Sequence, residues 1–247
     1  MTSLLLFLAA MWAGAQNALA GGGAFVTLPA LLLAGLDPVS ANVTSTVALV
    51  PSQFASAYSG RALVIGPPGL PVGRLLVVAG VGGLLGAVLL LVTPVALFTR
   101  LIPWLVLFAT LVFAHASYGS SLRRQPVGGV VPRPGVAALL QGLIAVYGGY
   151  FGGGIGFMIL AVLMRAGVSL RSAGATKNAL AATINATAVL VFVLSPAIRW
   201  DAAAPMCAGA IIGGVIGTWG LRRLPERWLR AGIVVLGLVL TVALFLR

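Results

Sequence analysis

The sequence predicts an all-α, polytopic membrane protein made of two copies of one unit. Three observations predict it: a composition with too few charges for a water-covered surface, apolar runs of spanning length, and a glycine pattern that recurs at a fixed offset. Of 247 residues, 60% are apolar and 7% charged, with 15 basic and 3 acidic side chains. The mean hydropathy is +1.13. A soluble domain carries about 25% charged residues, so an ordinary soluble enzyme and a disordered chain are both excluded. The long continuous runs do not fit the alternating ten-residue segments of a membrane β-barrel. The net charge of +12 is scattered at the ends of apolar runs and builds no basic face, so nucleic acid is not an expected partner. One cysteine, Cys207, allows no internal disulfide and reads as a small core residue.

Taken in order, the apolar segments fall at 3–36, 39–59, 70–92, 94–118, 135–167, 169–195, 201–221 and 227–246. Most match a helix crossing about 30 Å of hydrocarbon. The first has no basic n-region and stays apolar past Ala20, so it reads as a retained membrane segment rather than a cleaved signal. The first and fifth are too long for one helix, and glycines interrupt both: Gly21, Gly22 and Gly23 in one, Gly152, Gly153 and Gly154 in the other. The polar stretch 119–134, with Arg123, Arg124 and Arg133, reads as a basic cytoplasmic linker between a first repeat at 1–118 and a second at 135–247.

The two halves share a register. The glycine triplets lie 131 residues apart, as do Gly82, Gly83, Gly86 and Gly213, Gly214, Gly217. Thr44 recurs as Thr176 and Gln53 is matched by Asn185, both at 132. Asp37 and Ser169 sit at matching places as helix N-caps.

Charge then selects a topology. If each glycine-broken segment crosses once, the 15 basic residues divide seven to eight between the two sides. If each folds back, as a re-entrant hairpin or two short crossings, twelve fall on one side and only Arg100, Arg199 and Arg247 opposite. The second split is what the positive-inside rule expects. It places both termini outside the cytoplasm and gives each unit an odd number of crossings, so the second copy is inverted. Inverted repeats, each beginning with a glycine-broken helix or hairpin, are a transporter architecture.

Irregular backbone at membrane depth is tolerated inside protein or beside a polar cavity. A helix restarting after each triplet offers free N–H groups and a positive dipole end, which hold anions. The candidate site therefore comprises Gly21, Gly22, Gly23, Gly152, Gly153 and Gly154 with the polar residues near them in the apolar runs. These are Asn17, Thr44, Ser45, Gln53, Lys177, Asn178 and Asn185. Lys177 either contacts the anion or snorkels to the interface. The second glycine set, at 82–86 and 213–217, reads as helix packing. Tyr147 and Tyr150 flank the second break as further wall candidates.

No catalytic set is visible, so no enzyme is expected. Neither glycine triplet is followed by the Lys-Ser or Lys-Thr pair of a phosphate loop. His115, the only histidine, has no visible orienting partner for a serine nucleophile. No metal-ligand motif and no cofactor are expected. Asp37, Asp201 and Glu226 all lie at segment ends. An anion channel and a membrane assembly factor are the alternatives to a secondary transporter. A channel would need a continuous polar pore, and an assembly factor a recognition domain.

Two stretches resemble the TauE/SafE family of sulfite and organosulfonate exporters. One is Ala13 to Thr46, with the glycine triplet, Pro29, Gly35 and the Ala-Asn-Val-Thr-Ser-Thr run at 41–46. The other is Tyr150 to Asn185, YFGGGIGFMILAVLMRAGVSLRSAGATKNALAATIN. The resemblance implies a multi-span protein of the bacterial inner membrane that exports sulfite or a related sulfur anion. Its implied partners are that anion, membrane lipid and, as one compatible assembly, a second copy in a homodimer. The first motif here, Ala20-Gly-Gly-Gly-Ala24, is poorer in glycine than is common in the family.

Overall fold

The computed structural model describes residues 2–19, 21–118, 133–220 and 226–246. Most of the linker expected at 119–134 lies outside them. Among the described residues the chain is helical, with no strand, in ten α-helices and one short 3-10 turn.

The first long segment resolves into α1 (Thr2–Leu19) and α2 (Ala24–Leu33). Gly21 and Gly22 between them have φ of 86° and 85°, left-handed backbone that a residue with a Cβ rarely adopts. That turn lets α2 double back. Thr2, Leu5, Leu6 and Ala9 of α1 border one crevice with Ala30 and Leu33 of α2 and its C-cap Ala34. α3 (Pro38–Ser59) follows, N-capped by Asp37, whose Oδ1 accepts from Val39 N–H at 3.1 Å and Ser40 N–H at 3.0 Å. At 22 residues it is about 33 Å long. α4 (Val72–Val92) and α5 (Val95–Tyr118) complete the first half. Val72–Val92 and Val95–His115 are each long and apolar enough to cross a bilayer.

The second half runs in the same order. α6 (Pro134–Tyr150) and α7 (Ile155–Arg165) flank the second triplet, where Gly152 and Gly154 take φ of 78°. α8 (Leu170–Phe192) is N-capped by Ser169 Oγ, which accepts from Ser172 N–H at 3.4 Å. α9 (Trp200–Gly220) and α10 (Glu226–Phe245) end the chain.

Packing crosses between the halves. α1 lies on α9 and α4 on α6; α3 meets α8 and α9, α4 meets α8, and α5 meets α10. Exchanging α1 with α6, α3 with α8, α4 with α9 and α5 with α10 leaves this set of pairings unchanged. Glycines make the crossings close. A methyl group on Gly213 would run into the Met11 backbone, and one on Gly86 into the carbonyl of Val146. Small residues at such crossings let helices approach where no hydrophobic force drives them together. The outer faces of α4 and α5 carry exposed Val77, Val81, Leu84, Leu85, Leu97 and Leu111, an apolar belt suited to lipid rather than water.

Candidate substrate cavity

α3 and α8 carry most of the buried polar side chains, and both reach the glycine breaks. Asn42, Thr44, Ser45, Thr46 and Ser52 of α3, and Thr176, Lys177 and Asn185 of α8, are all buried. Burying so many polar groups is costly unless they are paired or face a polar space. Some are paired. Thr27 Oγ1 and Ser45 Oγ share a 2.6 Å hydrogen bond, and Asn42 Nδ2 donates to the Tyr150 carbonyl at 3.0 Å. Others surround a cavity.

That cavity is walled by both breaks. Asn17, Gly21, Gly22, Gly23 and Ala24 come from the first, and Gly152, Ile155 and Gly156 from the second. Ser45, Thr46, Leu49, Gln53 and Ser56 of α3 face Lys177, Asn178, Ala181 and Asn185 of α8 across it. It is small, about 40 Å³ counted as room for water centres. A single water needs roughly 10–15 Å³ on that measure, so the space suits a small solute.

The two breaks meet there. A methyl group on Gly21 would stand 3.7 Å from Gly156 Cα and 4.0 Å from Lys177 Nζ. Lys177 is 5% exposed and is the only formal charge in the wall. It makes no ion pair among the described residues, where the sole salt bridge joins Arg199 to Asp201. The first break is held by amides. Asn17 Oδ1 accepts from Gly23 N–H at 2.7 Å, and Gln16 Nε2 donates to the Gly22 carbonyl at 3.1 Å. At the second, Phe157 N–H bonds the Gly154 carbonyl at 3.1 Å. The N–H groups of Ile155 and Gly156, the first turn of α7, have no acceptor among the described residues. Asn185 Nδ2 donates to Gln53 Oε1 at 2.8 Å, closing the wall at its far end.

Of the thirteen residues singled out from sequence, ten line this cavity: Asn17, Gly21, Gly22, Gly23, Ser45, Gln53, Gly152, Lys177, Asn178 and Asn185. Three do not. Thr44 Oγ1 accepts from Arg199 N–H at 3.1 Å, fixing the turn before α9. Its counterpart Thr176 likewise binds the Ile65 backbone, accepting at 3.0 Å and donating at 2.8 Å. Gly153 packs under the Phe151 ring, and Gly154 lies against Ala109. Tyr147 and Tyr150 turn toward α5 and its entry, donating to the Leu105 carbonyl at 3.4 Å and to Thr93 Oγ1 at 3.5 Å. Sequence reasoning missed Gln16 as the brace of the first break, although an amide next to Asn17 in an apolar run was a signal. The helix restart expected after the second triplet falls at Ile155, and the free N–H groups there belong to Ile155 and Gly156.

Comparison with known proteins finds membrane transporters. A probable membrane transporter protein of Haemophilus influenzae is 28% identical over 240 residues, covering 96% of this chain and 92% of its own. The probable membrane transporter protein YfcA of Escherichia coli is 28% identical over 243 residues, covering 97% and 88%. The probable membrane transporter protein ORF9 of a Sinorhizobium species is 31% identical over 218 residues, covering 86% and 80%. No solved structure matches the chain significantly. The family model described as sulfite exporter TauE/SafE matches residues 6–244, and the chain belongs to that family.

Proposed function

We propose that this chain is a secondary transporter of the bacterial inner membrane that exports a small sulfur oxyanion, sulfite or a short organosulfonate. The observation that carries the reading is the meeting of both glycine breaks around Lys177 in one cavity. The anion sits between the breaks. Lys177 supplies the charge, and the unpaired N–H groups of Ile155 and Gly156 supply oriented donors at the positive end of α7. Asn17, Ser45, Gln53 and Asn178 line the same space and exchange hydrogen bonds with ligand oxygens or bridging water. Peptide groups serve because they donate without titrating, and glycine lets an oxyanion approach them closely.

The helix pairing supports the inverted-repeat reading, because it is unchanged when the two halves are exchanged. The doubling back of α2 on α1 supports the hairpin form of the first break. Two similar halves meeting at one site supply the two arrangements that alternating access needs. The family's description as sulfite exporter supports this class and direction, and the transporter names of the relatives support the class.

The test is flux in proteoliposomes. Sulfite, a short sulfonate and a cationic control would be compared under imposed proton and sodium gradients. Saturable sulfite or sulfonate flux, lost in Lys177→Gln, is expected. Cation-selective flux, or unsaturable flux typical of a pore, would reject the reading.

A further inference from the structure

The far end of the cavity has the opposite polarity to the Lys177 end. α6 stops at Tyr150, so its last carbonyls and the negative end of its dipole point toward the second break. A methyl group on Gly152 would find three oxygens as its nearest neighbours: Gly148 O at 3.5 Å, Thr46 Oγ1 at 3.8 Å and Asn185 Oδ1 at 3.9 Å. These three oxygens therefore lie within 4 Å of one point beside Gly152 Cα.

Each of the three oxygens retains accepting capacity. Thr46 gives its hydroxyl hydrogen to the Asn42 carbonyl at 2.9 Å. Gln53 Oε1 takes the Asn185 amide hydrogen, which sets the Asn185 oxygen on the other side. Asn185 is 4% exposed, and its Oδ1 is buried with no hydrogen-bond partner. The Gly148 carbonyl receives no backbone hydrogen bond among the described residues. Three clustered acceptors and a helix C-terminus repel an anion and attract a cation. Their hardness as oxygen donors selects an alkali or alkaline-earth ion over a transition metal. The absence of a carboxylate among them selects a single charge over a double one.

We infer that Gly148 O, Thr46 Oγ1 and Asn185 Oδ1 form a site for a monovalent alkali cation, such as sodium, at the C-terminal end of α6, in the same cavity as the anion. Lys177 and Asn185 are eight residues apart on α8, a backbone rise of about 12 Å. The inference rests on the proposed transport reading only for its purpose: a sodium ion bound beside the anion would couple their movements. The cation site itself stands on the geometry.

The test separates the two. Thermal unfolding of the purified chain would be followed in sodium, potassium and choline chloride of equal concentration, with no sulfur anion present. The midpoint should rise saturably with sodium and not with choline, as it must when an ion binds only the folded state. Thr46→Val and Asn185→Leu should each remove the sodium dependence. If either variant fails to fold, Asn185→Asp serves instead: an added negative charge should lower the half-saturating sodium concentration by about tenfold. Identical midpoints in the three salts would overturn the site. Sodium dependence surviving Thr46→Val and Asn185→Leu would overturn its location. Sodium stabilisation without any sulfite or sulfonate flux would leave this site standing and reject the transport reading instead.

Discussion

Gln53 and Asn185, residues 132 apart in sequence, are joined directly by a 2.8 Å side-chain hydrogen bond. They are also counterparts in the register relating the two halves. Equivalent positions can touch each other only near an axis that exchanges the halves, so this bond supports a pseudo-two-fold axis through the cavity wall. Because Asn185 is buried, removing its partner leaves an amide hydrogen unsatisfied. Gln53→Met should therefore lower stability by about 1–3 kcal/mol, read as a fall in the thermal midpoint. An unchanged midpoint would mean that the bond is not made in the membrane-embedded protein.

Lys177 occupies the place that Ser45 holds in the first half, so the cavity is symmetric in backbone but not in charge. With no acid beside it among the described residues, its ammonium is available to a ligand. Lys177→Gln should weaken sulfite binding by at least tenfold, about 1.4 kcal/mol, while leaving expression near wild type. Lys177→Arg should not restore it, because a planar guanidinium needs more room than this small space gives. Isothermal titration with sulfite on all three proteins gives the answer; equal affinities would return Lys177 to a snorkelling role.

The glycine breaks should fail through backbone geometry rather than bulk. Gly21 and Gly152 both have positive φ, and a methyl group on either would meet nothing closer than 3.5 Å. Gly21→Ala and Gly152→Ala should each cost about 1–2 kcal/mol for the left-handed conformation and should reduce transport severely at matched protein levels. Gly35 has φ of 92° with open space around it and lies outside the cavity. Gly35→Ala should therefore show a similar stability cost with transport intact. Flux and melting measured together separate the two classes.

Much of this was legible in the sequence because membrane folding constrains it strongly. The segments 3–36 and 135–167 were too long for one helix, and each resolves into two, at α1–α2 and α6–α7. Their glycines mark where the backbone turns. The polar residues of α3 and α8 stood out because so few polar residues lie in the apolar runs. Thr44 was not separable from Ser45 by such reasoning. One helical position decides whether a hydroxyl faces the cavity or the turn at Arg199, and only the rotation of α3 fixes that. Gly153 and Gly154 went the same way: the triplet announces a turn but not which member faces the space. The three oxygens around Gly152 come from α3, α6 and α8, a juxtaposition that no spacing encodes.

The helix crossings give a contrast in stability. A methyl group on Gly213 would collide with the backbone of Met11, whereas one on Gly232 of α10 meets nothing within 4 Å. Gly213→Ala must push α1 from α9, and overpacking of this kind costs about 1–3 kcal/mol. Gly232→Ala should be neutral or stabilising by up to about 1 kcal/mol, since alanine is the better helix former. Unfolding midpoints should therefore move in opposite directions, or for Gly213→Ala alone. Comparable losses in both would remove close packing as the reason for the glycine.

The last prediction concerns orientation: both termini should face the periplasm. α2 doubles back along α1, bringing Ala30, Leu33 and Ala34 beside Thr2, Leu5 and Leu6. At 10 residues, α2 is about 15 Å long, half the hydrocarbon thickness. A hairpin of this form would enter and leave on one side, so α3 would start from the side of the N-terminus. Were α3, α4 and α5 each to cross once, the 119–134 segment would lie on the opposite side, and a like second half would return the C-terminus to the first. This arrangement puts twelve of the fifteen basic residues on the side of that segment, which the positive-inside rule makes cytoplasmic. Single cysteines added at either terminus in a Cys207→Ala background should react with an impermeant thiol reagent in cells whose outer membrane alone has been permeabilised. A cysteine placed at Gln125 should react only after lysis. Labelling in the reverse pattern would mean that the broken segments cross the membrane instead of folding back.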